Sequence, residues 1–250
     1  MSLRRVWLEA SPAEGATEIS LPAEESAHLV RSLRARTGDK VALLNGQGLR
    51  LEGFVHEANP ERAIIRLTGK HQAAPSTVKI ILAPALLKAG TMDDLIRTCC
   101  EAGAAEIIPL ESARSEAKLS PDKLVSKQQR WGLQTVEACK QSGNLWQTHI
   151  GKPEALPQWL KALPPCGPEE LRLLGSLDTQ AQPVGSLNFS KIKKVIWLIG
   201  PEGDFNDAEI QLALAAQFKA VTLGPTVLRA ENAALACLVA THILTAQAAS

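Results

Sequence analysis

The chain has 250 residues, 45% of them hydrophobic, and carries 27 Lys and Arg against 26 Asp and Glu, a formal net charge of +1. Such a length suits one large domain or, more often, two, and the near-neutral balance announces no basic tail, so a nucleic-acid partner would be met by a local patch. The five cysteines (Cys99, Cys100, Cys139, Cys166 and Cys237) form no C-x-x-C pair, which argues against a zinc site or a disulfide framework and points to reduced thiols in a cytoplasmic chain.

The N-terminus has Arg4, Arg5 and Glu9 where a signal peptide would have an apolar core. Residues 1–70 then read as a β-rich module with one helix. The spacing from Pro22 to Arg34 predicts that helix, with Leu29 and Leu33 on one face and Gly38-Asp39 as its stop. Val41–Leu44 and Leu49–Val55 flank Asn45-Gly46, a strong hairpin signal, and Ala63–Leu67 adds a strand after Pro60. Gly46-Gln47-Gly48 is no dinucleotide fingerprint, because position 51 is Leu and no helix follows. Several short strands around one helix suggest a small barrel.

Residues 71–76 read as a linker and 77–250 as a second domain with alternating strands and helices. Val78–Ala83 is a strand, a helix opens at Thr91 and closes at Gly103, and Ala105–Leu110 is the next strand. A long helix is expected from Ser126 to Ser142, then strands at Leu171–Leu174 and Val195–Ile199, and a helix from Asn206 to Phe218 with Glu209 completing its cap. This β-α-β rhythm implies an α/β fold with a parallel sheet. Ala233–Ala246 is too short for a membrane span of about 20 residues and reads as a buried helix, apolar on more than one face, which suggests a homodimer.

Two hydrophobic runs end in Gly-Pro: Ile199-Gly200-Pro201-Glu202-Gly203, and Leu223-Gly224-Pro225 followed by Val227, Leu228, Arg229 and Glu231. Ligands of open α/β sheets bind beyond the C-terminal strand ends, so these two loops are expected to face one cleft. Their low bulk suits a flat ligand contacted by backbone, and the Gly-Lys-Ser/Thr of a phosphate-cradling loop is absent. Arg229 and Glu231 fit either chemistry or an ordinary helix start. The five histidines lack ligand spacing, so no metal is expected. On the N-terminal helix, His28, Arg31 and Arg34 recur at helical spacing and, with Arg4, Arg5 and Arg36, make the best phosphate-binding patch, although a solvated face would look the same.

The tandem Gly-Pro motifs with Leu228-Arg229 and Glu231 resemble the RsmE family, the 16S rRNA uracil-N3 methyltransferases of the SPOUT superfamily. Leu87-Lys88, Glu101-Ala102-Gly103, Ile108-Pro109-Leu110, Arg114-Ser115, Arg130-Trp131, Glu137-Ala138 and Gln141-Ser142 follow in the family's order. The sequence departs from the pattern at Asp204 (Gly in the family), Ala230 and Asn232 (Thr), Ala102 (Leu) and Asn144 (Arg). The resemblance implies a PUA-like N-terminal barrel for RNA and a C-terminal domain with a deep trefoil knot that binds S-adenosylmethionine and dimerises. It further implies that Leu174, Gly175, Ile199–Gly203, Leu223–Pro225, Val227 and Leu228 hold the cofactor. Arg229, Glu231 and Arg114 are the catalytic candidates, and Gln141 joins the basic patch on RNA. The partner would be 16S rRNA or the small ribosomal subunit. Two alternatives remain open: methylation of another RNA position, and a non-catalytic RNA-binding protein with the same fold.

Overall fold

The computed structural model describes residues 3–115, 121–178 and 180–248. Its chain forms two compact units, the first comprising the N-terminal residues through Pro75 together with Val136–Gln147, the second Ser76–Thr135 with Thr148 onward. The strand expected to end at Leu67 continues to Gln72, inside the segment read as a linker.

In the first unit, β1 (Arg4–Trp7), β2 (Glu18–Ser20), α1 (Ala23–Ala27), β3 (Lys40–Leu44), β4 (Leu49–Glu57) and β5 (Ile64–Gln72) build one five-stranded sheet in the order β1-β3-β4-β5-β2. The Asn45-Gly46 hairpin forms as expected: the Asn45 side chain accepts the amides of Gln47 and Leu49, and Gly46 and Gly48 both take positive φ. Val6, Leu29, Leu43, Leu51 and Ile65 are packed in its core.

The expected helix from Pro22 to Arg34 is shorter and less regular. After α1 the chain makes a π-helical turn over His28–Ser32, closed by the Leu33 amide on the His28 carbonyl, and Arg34 at φ 52° ends it well before Gly38. The wider turn breaks the spacing on which the His28-Arg31-Arg34 stripe relied.

The second unit is a seven-stranded, all-parallel sheet. Its elements are β6 (Lys79–Pro84), α2 (Ala89–Glu101), β7 (Glu106–Ile107), β8 (Leu110–Glu111), the part of α3 (Pro121–Ser142) before Val136, β9 (His149–Ile150), β10 (Glu154–Ala155), α4 (Leu156–Ala162), β11 (Glu170–Gly175), β12 (Gln182–Pro183), β13 (Lys194–Ile199), α5 (Asp207–Ala215), β14 (Lys219–Thr222) and α6 (Ala230–Ala248). The sheet order is β12-β14-β11-β13-β6-β7-β9, while β8 and β10 pair separately. Pro109, which has no amide to donate, lies at the break between β7 and β8, so the single strand expected over Ala105–Leu110 is two. Central β13 is buried from Val195 to Ile199, as its continuous apolar run requires. Helix α5 stops short of Phe218 because Gln217 takes the left-handed conformation, at φ 67°.

Two polar anchors hold the helices. On α2, buried Asp93 accepts a hydrogen bond from Trp131 Nε1 at 3.0 Å and pairs with Arg130, which gives the Arg130-Trp131 dipeptide of α3 a structural purpose. Asp93→Ala leaves the buried indole N–H unpaired, at a cost of about 2 kcal/mol. The expected result is a Tm lower by about 5 °C in a thermal melt. On α6, the Thr241 hydroxyl receives Trp197 Nε1 at 2.9 Å and donates to the Cys237 carbonyl. That face of α6, with Ala234, Cys237 and Leu238, is buried, whereas Val239 and Ile243 on the other side are exposed.

Candidate active site

Parallel strands β11, β13 and β14 end side by side, and the loops leaving them enclose a cleft of about 590 Å³. Both Gly-Pro loops line it, as do Gly175 and the start of α6. Of the expected cofactor residues, Gly175, Ile199, Gly200, Pro201, Glu202, Leu223, Gly224, Pro225, Val227 and Leu228 are on its wall. Leu174 and Gly203 are not: Leu174 is buried in the sheet core, and Gly203 faces the side chain of Arg114.

The first loop is tight. The Asp204 amide closes a turn on the Pro201 carbonyl at 2.9 Å, and Asp204 itself has φ 60°, the left-handed region where a glycine costs nothing. Asp204 is tolerated because its Oδ1 accepts the Phe205 amide at 2.7 Å. That oxygen lies over Gly200, where a Cβ would meet it at 2.9 Å, so a side chain at 200 would have to displace the Asp204 carboxylate. Phe205 then enters the core, and Asn206 starts α5 with a reciprocal cap to Glu209. In the second loop the Thr222 hydroxyl donates to the Gly224 carbonyl at 2.9 Å. No atom lies within 4 Å of a Cβ built on Gly224.

Arg229 and Glu231 both border the cleft. Arg229 is exposed, and its carbonyl accepts the Ala233 amide in the first turn of α6; Glu231 is half-buried in that turn. Arg114, the third catalytic candidate, is not among the residues lining this cleft. Its Nη1 instead donates to the Gly203 carbonyl at 2.8 Å, bracing the first loop from outside.

Sequence reasoning missed Lys88 and Thr91 at the start of α2, Ser176 and Leu177 after β11, and Cys237 within α6 as lining residues. Only Lys88 carried a sequence signal, through its place in the Leu87-Lys88 motif; the others face the cleft because of tertiary packing. Burial pushes the Cys237 thiol well above its ordinary range, Cys99 up to about 12 and Cys139 up to about 11, so these sulfurs stay protonated. No cluster able to hold a metal occurs among the described residues.

In the first unit, Arg31, Arg34 and Arg36 are exposed and His28 is half-buried. The other two arginines have structural partners. Arg4 pairs with Asp39 at 3.3 Å and donates to the Leu33 carbonyl, while Arg5 donates to the Lys140 and Gln141 carbonyls at the end of α3. Gln141 is exposed beside that contact. Buried Lys140 bridges Glu25 at 3.0 Å and Glu137 at 2.7 Å.

Comparison with known proteins places this geometry. A family model described as an RNA methyltransferase domain matches residues 74–242, and one described as an RNA methyltransferase PUA domain matches residues 21–68. The chain is 30% identical to the ribosomal RNA small subunit methyltransferase E of Synechocystis over 86% of its length and 69% of the relative's. It is 26% identical to the Bacillus subtilis protein of that name over 90% of each chain. A methyltransferase from Legionella pneumophila, solved in complex with the cofactor SAM, superposes with a TM-score of 0.85 at 25% identity, covering 97% of this chain and 98% of that one. The Gly-Pro cleft is thus carried by an RNA methyltransferase domain coupled to a PUA domain, and the chain belongs to the ribosomal RNA small subunit methyltransferase E family.

Proposed function

We propose that the protein methylates N3 of a uridine in 16S rRNA, using S-adenosylmethionine held in the cleft at the ends of β11, β13 and β14. The observation that carries the reading is the convergence of both Gly-Pro loops, Arg229 and Glu231 on that one cleft. The wall suits the cofactor: glycines at 175, 200 and 224 leave backbone open to a flat base and ribose, and Ile199, Leu223 and Leu228 supply apolar contact. Lys88, Glu202, Asp204 and Glu231 add charges of both signs, matching a ligand that has cationic and anionic groups. When bound, S-adenosylmethionine supplies a methyl group activated by its sulfonium.

The protein's own residues have two tasks. Uracil N3 is nucleophilic only after losing its proton, and the resulting charge spreads onto the flanking oxygens. Arg229, exposed at the cleft edge, is placed to stabilise that charge, and Glu231, in the first turn of α6, is the candidate proton acceptor. Rigid loops that hold the reactants in line contribute the rest. Exposed Arg31, Arg34 and Arg36, with Gln141, are proposed to contact rRNA phosphates, while Arg4 and Arg5 mainly hold the first unit together.

A homodimer and a knotted path through the loops belong to the same reading. The dimer is supported by Val239 and Ile243, exposed on α6 at 42% and 53%. Cytoplasmic residence is supported by five free cysteines, and no helix of the described residues is long and apolar enough to cross a membrane.

The reading is tested by incubating the protein with S-adenosylmethionine and either 16S rRNA or small subunits, then digesting the RNA to nucleosides. Appearance of 3-methyluridine is expected. Methylation at another atom would redirect the substrate assignment, and no methylation of either RNA together with no cofactor binding would favour an RNA-binding scaffold.

A further inference from the structure

Glu209 does more than cap α5. The residue is 5% exposed, and one carboxylate oxygen, Oε2, accepts the Asn206 amide at 3.0 Å to complete the cap. The other, Oε1, turns away from the helix and accepts the Ala113 amide at 2.7 Å, from a segment 96 residues earlier. That segment is itself a fixed turn: the Ser112 amide donates to Ser115 Oγ at 3.0 Å, the two hydroxyls lie 2.9 Å apart, and both serines are buried. The next residue, Arg114, reaches the Gly203 carbonyl at 2.8 Å and lays its aliphatic stem 3.6 Å from the Cβ position of Gly203.

We propose that Glu209 is a positioning residue for the cofactor cleft, seating Arg114 through the Ala113 amide so that Arg114 fixes the Gly200–Asp204 loop. The chain of contacts runs from a buried carboxylate to a cleft wall that neither Glu209 nor Arg114 touches directly. Both acceptor oxygens are needed. A glutamine has a single carbonyl oxygen, so it can accept only one of the two amides, and its NH2 group then faces the other, donor against donor. Glu209→Gln therefore cannot keep the loop tie and the carboxylate half of the cap together. Asn206→Ala removes the side-chain cap and leaves the Ala113 contact in place.

The inference rests on the cleft being the cofactor site, and titration calorimetry of the full chain with S-adenosylmethionine separates the two claims. Glu209→Gln and Arg114→Ala are each expected to raise the cofactor Kd about tenfold, and the double variant to add less than about twofold more, because both cut one chain of contacts. Asn206→Ala is expected to lower Tm yet keep Kd within about twofold of the unaltered protein. A Glu209→Gln protein that binds normally, additive losses in the double variant, or an Asn206→Ala loss equal to that of Glu209→Gln would overturn the proposal while leaving the cofactor site standing. Failure of the unaltered chain to bind would overturn both.

Discussion

Arg229→Ala is expected to lower kcat for rRNA methylation by about 100-fold or more while changing the cofactor Kd by less than about threefold. The asymmetry follows from where the residue sits. Arg229 lies at the cleft edge with an exposed side chain, so its loss opens no core. Its backbone contact, the carbonyl that accepts the Ala233 amide, survives truncation. In the proposed mechanism, what disappears is a cation beside the position where negative charge develops on the uracil oxygens, an interaction stronger in the transition state than in the ground state. Arg229→Lys should recover part of the rate. Single-turnover methylation under saturating cofactor measures this, and a rate for Arg229→Ala within twofold of the unaltered protein would remove Arg229 from the mechanism.

Gly200→Ala is expected to weaken cofactor binding by more than about tenfold, equivalent to about 1.4 kcal/mol or more. The new Cβ would sit 2.9 Å from Asp204 Oδ1, the oxygen that holds the Phe205 amide at 2.7 Å. Something must shift, and the loop has little room: Asp204 is already in the left-handed region at φ 60°, and Phe205 is anchored in the core. A suppressor follows from the same geometry. Asp204→Gly removes the obstructing carboxylate and suits the positive φ, so the Gly200→Ala, Asp204→Gly double variant should regain most of the affinity. Calorimetry of the two single variants and the double one decides it. If Gly200→Ala binds normally, or the double variant stays as weak as Gly200→Ala alone, the close approach at this glycine does not control the site.

Much of the site is legible in the sequence, for physical reasons. A run such as Val195–Ile199 has one comfortable place, a strand covered on both faces, and a Gly-Pro turn directly after it can only lie at that strand's C-terminal end. Two such runs in a parallel sheet therefore bring their loops together. The Asn206 and Glu209 cap is equally readable, since its spacing is local. Long-range contacts are not. Nothing in the sequence says that the second oxygen of Glu209 meets Ala113, or that Arg114 braces Gly203 from outside the cleft. The π-helical turn at His28–Ser32 escapes sequence reading because its residues have ordinary helical preferences and only tertiary packing selects the wider winding. Helix α4 escapes it too, being only seven residues long with Pro157 in its first turn, too short to display a helical period. Arg4 and Arg5 read as free cations, yet their partners, Asp39 and the Leu33 carbonyl for Arg4 and the carbonyls of Lys140 and Gln141 for Arg5, are all distant in sequence.

This cleft is proposed to deliver a methyl group to uracil N3 of 16S rRNA. Nucleoside mass spectrometry of 16S rRNA from a strain lacking the protein tests it most directly, alongside the same strain supplied with the unaltered or the Arg229→Ala form. The expected result is that 3-methyluridine disappears from the deletion strain, returns with the unaltered protein and does not return with Arg229→Ala. Undiminished 3-methyluridine in the deletion strain would contradict it.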